Sequence, residues 1–199
     1  MKITSIKQQV KRTDRYAIHV DNKYEFSLGE LELINAGLKV GQELTKTELD
    51  GLKDRAKLDK AYDRTLNLIA MRPRSRWEIE DYLKRKKYEP EEIEATIKKL
   101  QGSGYINDEA FARSWLSSRR LLKAISKRRL IQELRQKRIS DDIIELVMAD
   151  DETDELSVLS ELIAKKRQQS RYQDDLKLMQ YLARQGYSYG DIKEAMQKR

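Results

Sequence analysis

The sequence predicts a mainly α-helical chain: three tandem three-helix repeats forming an elongated curved array, preceded by a small N-terminal β-containing (α+β) domain. Three observations predict it. Strand-like alternation of apolar and polar residues is confined to the start of the chain, ending near Leu28. One apolar register then recurs three times at helical spacing. The composition fits thin cores rather than one thick core, with 38% charged residues, 39% hydrophobic residues, two prolines and eight glycines. That charge content stands well above the usual ~25%.

The β-containing part comes first. Tyr16, Ile18 and Val20 alternate with polar residues, as do Tyr24, Phe26 and Leu28. A two-residue loop at Asp21-Asn22 would set Val20 against Lys23 and Ile18 against Glu25. A three-residue loop instead pairs Val20 with Tyr24, Ile18 with Phe26 and Tyr16 with Leu28, keeping apolar partners on one face, and is the expected register. Residues 2–10 offer a third strand. Two short helices follow, near 29–36, ended by Gly37, and near 46–56, opened by the capping-box pattern from Thr45 to Glu48.

The repeats are read from Leu83, Leu134 and Leu182, spaced 51 and 48 residues apart. Four residues earlier lie Ile79, Leu130 and Leu178. Five later lie Tyr88, Ile139 and Tyr187, and ten later Ile93, Ile144 and Ile192. Ile97, Met148 and Met196 close each register. Helix-start residues recur too: Glu89 before Pro90, then Ser140, then Ser188 with Asp191. A further amphipathic helix precedes each pair, at about 58–71, 108–122 and 154–169. The expected organisation is an N-terminal domain at 1–56 and repeats at 57–106, 107–149 and 150–199. Units this small gain stability by packing on their neighbours.

Catalytic and metal chemistry find little support. Cysteine is absent and His19, on the polar side of a strand, is the only histidine. No phosphate loop or nucleophile elbow occurs, so neither a cofactor nor a metal is expected, and the chain does not read as an enzyme. Asn107-Asp-Glu109 fits a helix start, because asparagine caps well and first-turn acids favour the positive end of the dipole. The acidic run Asp150–Glu155 lacks the glycine and terminal glutamate of a calcium loop and reads as a linker and helix start. Trp77 and Trp115 fall on apolar faces and are expected in the core. No apolar run is long enough for a membrane span and no signal-peptide pattern is present; with zero cysteines, a cytoplasmic location is expected.

The charge distribution carries the functional signal. Net charge is +7, and Arg113–Arg138 holds ten basic residues against one acid, Glu133. Basic clusters fall at equivalent inter-helix turns: Arg72, Arg74 and Arg76 in the first repeat, then Arg119, Arg120, Lys123, Lys127, Arg128 and Arg129 in the second. Lys165, Lys166, Arg167 and Arg171 follow in the third. Stacked repeats would align them into a stripe for a polyanion or an acidic protein surface. Ser75, three residues before Glu78, forms a capping box and is expected to be structural.

Over about 57–198 the chain resembles the RecX family of bacterial regulators of the RecA recombinase. The resemblance rests on the arginine-rich turn before SRWEIEDYL, on LQGSGYINDEAFARSW, and on KRRLIQEL and YLARQGYSYGDIKEAM, in that order. The N-terminus is similar to the extension of some longer members. Two positions depart from the family pattern: Ser126 and Arg138 stand where glycine is common, whereas Gly186 is kept. Arg138 then implies either strain or a different cap. The resemblance implies a non-enzymatic monomer that binds RecA–DNA filaments and restrains recombination, ATPase turnover and co-protease activity in repair and the SOS response. A stand-alone nucleic-acid-binding protein that competes for DNA is the alternative.

Overall fold

The early alternation builds a three-stranded antiparallel sheet in a computed structural model of the protein, which describes residues 1–197. Its strands, β1 (Ile3–Gln8), β2 (Arg15–Val20) and β3 (Lys23–Gly29), lie in the order β1-β2-β3. Ile18 pairs with Phe26 and Tyr16 with Leu28, as the apolar pattern requires, but Val20 faces Lys23 rather than Tyr24. The turn is the tight one: Asp21 and Asn22 both take positive φ, 47° and 66°. That is the geometry whose twist matches a hairpin, and Asp and Asn tolerate it. A bulge between Ile18 and His19 restores the register, making Glu25 the extra residue. Glu25 pairs there with Lys53 at 2.5 Å.

Helix α1 (Glu30–Ala36) ends at Gly37, whose φ is 61°. Helix α2 (Lys46–Met71) starts at the expected capping box: Thr45 N–H donates to Glu48 at 2.7 Å, and Glu48 N–H to Thr45 Oγ1 at 3.2 Å. It then runs unbroken, where two helices near 46–56 and 58–71 were expected. The buried stripe Leu49, Leu52, Ala56, Ala61 and Thr65 continues through the anticipated break, and no proline or cap interrupts it. Arg15, 2% exposed, ties the sheet to this helix. Its guanidinium pairs with Asp59 at 2.9 Å and with Asp63, and donates to the Ser27 carbonyl at 2.9 Å.

The remaining helices follow the repeated register. They are α3 (Arg76–Arg85) and α4 (Pro90–Gly102); α5 (Asp108–Leu122), α6 (Lys127–Gln136) and α7 (Asp141–Ala149); then α8 (Glu155–Arg167), a single 3-10 turn at Ser170–Tyr172, α9 (Asp175–Arg184) and α10 (Tyr189–Gln197). Ile79, Leu83, Leu130, Leu134, Leu178 and Leu182 are all 0% exposed. By contacts the chain divides into two compact units. The first is Met1–Pro73 with Ile79–Ile106; the second is Arg74–Glu78 with Asn107 onward.

The turn after each reference leucine has the same build. Lys87, Arg138 and Gly186, four residues on, have φ of 62°, 58° and 96°. Their amides donate to Lys84, Arg135 and Ala183 carbonyls, each at 2.9 Å. The next amides, of Tyr88, Ile139 and Tyr187, reach back to Leu83, Leu134 and Leu182 at 3.2, 3.2 and 3.4 Å. This paired pattern is a Schellman cap. Arg138 therefore keeps the left-handed cap and bears its strain.

Within the second unit a second motif recurs where one helix start meets the end of another. Ser75 Oγ donates to the Lys137 carbonyl at 3.0 Å, and Ser126 N–H donates to the Gln185 carbonyl at 3.1 Å. At each start, an acid from another helix accepts the following amide. Asp108 takes Arg76 N–H at 2.7 Å, and Glu155 takes Lys127 N–H at 2.6 Å. Both serines are buried, at 0% and 2% exposure, and both cap their own helices. Gly186 is indispensable to the second joint: a Cβ there would lie 2.4 Å from Ser126 Oγ and 2.7 Å from Arg129 Cβ.

Candidate interaction surface

The acidic motifs are consumed by structure. Asn107 accepts the Ala110 amide at 2.9 Å as N-cap, Asp108 closes the joint just described, and Glu109 pairs with Arg113 at 2.9 Å. Asp150 pairs with the same arginine at 2.7 Å. Asp154 caps α8, and Glu155 takes the Lys127 amide. His19 is half-buried, edge-on to Tyr24.

Several of the cations singled out by sequence are also internally engaged. Arg120 is the most deeply bound: its guanidinium meets Asp151 at 2.5 and 3.2 Å and donates to the Ile125 carbonyl at 2.8 Å. The two side chains are 14% and 4% exposed. Burial alone would raise the Asp151 carboxyl above the ordinary range. Hydrogen bonds from Arg120 and the Thr153 amide outweigh it and hold the group below that range. Arg119 donates to Glu133 at 2.6 Å and lies 4.2 Å above the Trp115 ring. Lys127 Nζ donates to the Asp151 carbonyl at 2.8 Å. Arg167 pairs with Asp175 and donates to the Gln173 carbonyl at 2.7 Å. Arg76 is half-buried at the start of α3, Arg74 is half-buried just before it, and exposed Arg72 closes α2. Arg171 is exposed, beside Tyr172.

The tryptophans divide. Trp115 packs against Phe111 at 5.7 Å and donates its indole N–H to Glu133 at 3.0 Å. Trp77, expected in the core, is 38% exposed, because Ile79 and Leu83 supply the buried side of α3.

Further cations of the second unit line two grooves. One, of about 540 Å³, is lined by Arg128, Arg129, Gln132 and Arg184, together with Gly186 and Tyr187. The other, of about 600 Å³, lies between the end of α5 and α8, lined by Lys123, Lys165 and Lys166. Tyr181 of α9 and Gln185, just past its end, line both. Arg129 leans on Glu133 at 3.7 Å and donates to the Arg184 carbonyl at 3.3 Å. Lys166 sits 4.8 Å from the Tyr181 ring centre. Lys123, Arg128, Lys165 and Arg184 are exposed and make no ion pair among the described residues. Burial pushes the Tyr187 hydroxyl up to about 12, helped by the nearby Glu155 charge, so it stays neutral. Arg184 and Tyr181 escaped sequence reasoning because they lie on α9, away from any basic cluster. Their only sequence signal was the arginine two residues after Leu182.

The second unit of this helical-repeat fold thus carries an open cationic surface. Family models match most of its length: the regulatory protein RecX N-terminal domain over residues 1–45, and the first, second and third RecX three-helix domains over 61–100, 107–148 and 152–196. The chain belongs to the RecX family. It is similar to the regulatory protein RecX of Listeria welshimeri, 40% identical over 119 residues, which is 60% of this chain and 44% of that protein. It is also similar to that of Bacillus subtilis, 35% identical over 118 residues, 59% of this chain and 45% of that one. The matched segment thus spans less than half the length of these relatives. A crystal structure of regulatory protein RecX superposes with a TM-score of 0.73 at 29% identity, covering 97% of this chain and 98% of that one. RecX from Lactobacillus salivarius gives 0.60 at 26%, covering 71% and 96%. No helix among the described residues is long and apolar enough to cross a membrane.

Proposed function

We propose that this chain is a cytoplasmic regulatory protein that binds the RecA–DNA filament through the cationic grooves of its second unit and restrains the recombinase. One observation carries the reading: Lys123, Arg128, Lys165 and Arg184 are exposed, of one sign, and free of ion pairs among the described residues. Solvated cations at a groove are the groups that phosphates or an acidic protein surface can recruit without first breaking an internal pair. Arg119, Arg120 and Lys127 are already committed to Glu133 and Asp151 and serve the fold.

The test is the fourfold reversal Lys123→Glu, Arg128→Glu, Lys165→Glu and Arg184→Glu. Recombinase ATPase on single-stranded DNA should escape inhibition while helix content holds. Each lost phosphate contact should also flatten the salt dependence of binding by about one unit of slope. Undiminished inhibition would refute the proposal. Naked single-stranded DNA is the comparison ligand: equal affinity for it and for preformed filaments would favour the competing reading, a protein that acts by occupying DNA.

A further inference from the structure

The groove between α5 and α8 has an apolar wall that a phosphate backbone cannot use. Leu121 and Leu122, in the last turn of α5, are 83% and 72% exposed. Both line the groove. Adjacent leucines left this open beside a concave surface are unusual on a soluble face, where contiguous apolar exposure marks a contact site. Around them stand Lys123, Lys165 and Lys166, with Glu161 as the acid in the lining. Arg120 also borders the groove, but Asp151 neutralises it. The groove therefore presents an aliphatic anchor ringed by positive charge.

We infer that this groove seats an acidic amphipathic helical segment of a protein partner, with apolar side chains on Leu121 and Leu122 and carboxylates facing the three lysines. Charge complementarity fixes the sign of the occupant, and the leucines fix its class. Single-stranded nucleic acid binds by stacking bases on free aromatic rings. Here Tyr181, the aromatic side chain lining the groove, already packs against Tyr172 at 5.1 Å and carries Lys166 over its ring. Helix-in-groove recognition uses apolar anchors at one-turn spacing. The groove volume of about 600 Å³ accepts such side chains without any pocket having to open. The inference rests on the regulatory reading above only for which protein supplies the segment. It divides the surface into a half whose charged lining is Arg128, Arg129 and Arg184 and a half that adds exposed Leu121 and Leu122.

The test uses the full chain and a fluorescein-labelled synthetic peptide with leucines at i, i+3, i+4 and i+7 and glutamates elsewhere. A control peptide of equal composition has its leucines scattered, and an oligothymidylate represents nucleic acid. The patterned peptide should bind with micromolar affinity and shift the Leu121 and Leu122 methyl resonances. The double change Leu121→Ser and Leu122→Ser, on exposed side chains, should weaken it by about tenfold. Lys165→Glu should weaken it in a salt-dependent way, and oligothymidylate binding should ignore the serine changes. Absent peptide binding, binding indifferent to the serines, or an equal effect on oligothymidylate would each overturn the inference. So would a dimer in sedimentation that the serine pair dissolves. A second copy has its own acidic helix to offer, α1, with Leu31 and Ile34 exposed beside Glu30 and Glu32. The peptide assay contains neither recombinase nor filament, so its failure leaves the fourfold charge reversal and its ATPase readout to stand or fall separately.

Discussion

Replacing Gly186 with alanine puts two separable penalties on one atom. The backbone there has φ of 96°, so any Cβ meets the left-handed strain of about 1–2 kcal/mol. The same Cβ would lie 2.4 Å from Ser126 Oγ, 2.7 Å from Arg129 Cβ and 3.2 Å from the Arg129 amide, all at the start of α6. Forcing a methyl into a packed site costs about 1–3 kcal/mol more. The expected loss is therefore about 2–5 kcal/mol in the second unit. Gly104→Ala is the control: φ is 74°, but nothing lies within 4 Å of its Cβ, so only the conformational part remains. Adding Ser126→Gly to Gly186→Ala removes the 2.4 Å clash but leaves Arg129 in place. The pair should recover part of the loss, a positive coupling in a double-mutant cycle. Both tryptophans, Trp77 and Trp115, belong to the second unit, so tryptophan fluorescence during urea unfolding follows Gly186→Ala, while far-ultraviolet circular dichroism follows Gly104→Ala in the first unit. If Gly186→Ala unfolds no earlier than Gly104→Ala, or the cycle shows no coupling, the close approach of α9 to α6 is not what requires glycine.

The remaining predictions concern caps and the buried pair. Arg138→Gly and Lys87→Gly should each raise stability by about 0.5–1 kcal/mol, seen as higher thermal midpoints, because glycine takes positive φ without a Cβ penalty. Arg120→Met should cost about 3–5 kcal/mol by stranding the Asp151 carboxylate, whereas Arg120→Met with Asp151→Leu should recover much of it. Asp151 is held below its ordinary pKa when folded, so its contribution is complete above the unfolded value of about 3.9 and fades as pH falls through the folded one. Asp151→Asn should flatten the acid side of a stability-versus-pH curve below about pH 4, with little effect on its slope above pH 6. An unchanged acid limb would remove Asp151 from that role.

What could be read from sequence was whatever repeats or alternates. The leucine register gave the buried spine of all three repeats, since one face of a helix must be apolar at fixed spacing whatever else changes. The hairpin was legible to its strands and then misjudged at its tip. Pairing logic alone cannot foresee that Asp21-Asn22 takes the tight turn and Glu25 bulges to absorb the mismatch. The unbroken α2 was hidden because its continuing stripe is made of Ala56, Ala61 and Thr65, small residues that mark packing only once a neighbour is known. At the candidate surface the difficulty was partnership. Arg120 and Arg128 look alike in one dimension, yet the first meets an aspartate 31 residues away and the second meets no acid among the described residues. Leu121 and Leu122 continued an amphipathic run on paper; only the end of α5 leaves both uncovered.

The joints of the second unit have a consequence for inheritance. Each engages a main-chain carbonyl past the end of one helix, held by the Ser75 hydroxyl in one joint and the Ser126 amide in the other, and a main-chain amide at the start of another helix, held by one acid. These main-chain atoms survive every substitution except proline, which removes the amide hydrogen. A lineage can therefore rewrite nearly all the side chains flanking such a joint, so long as Ser75, Ser126, Asp108, Glu155 or close equivalents persist and the bend at Gly186 stays bare. The fastening is thus a grammar rather than a vocabulary. It allows the words on the outward faces, Arg128 or Leu121 among them, to be exchanged for new partners while the sentence keeps its order.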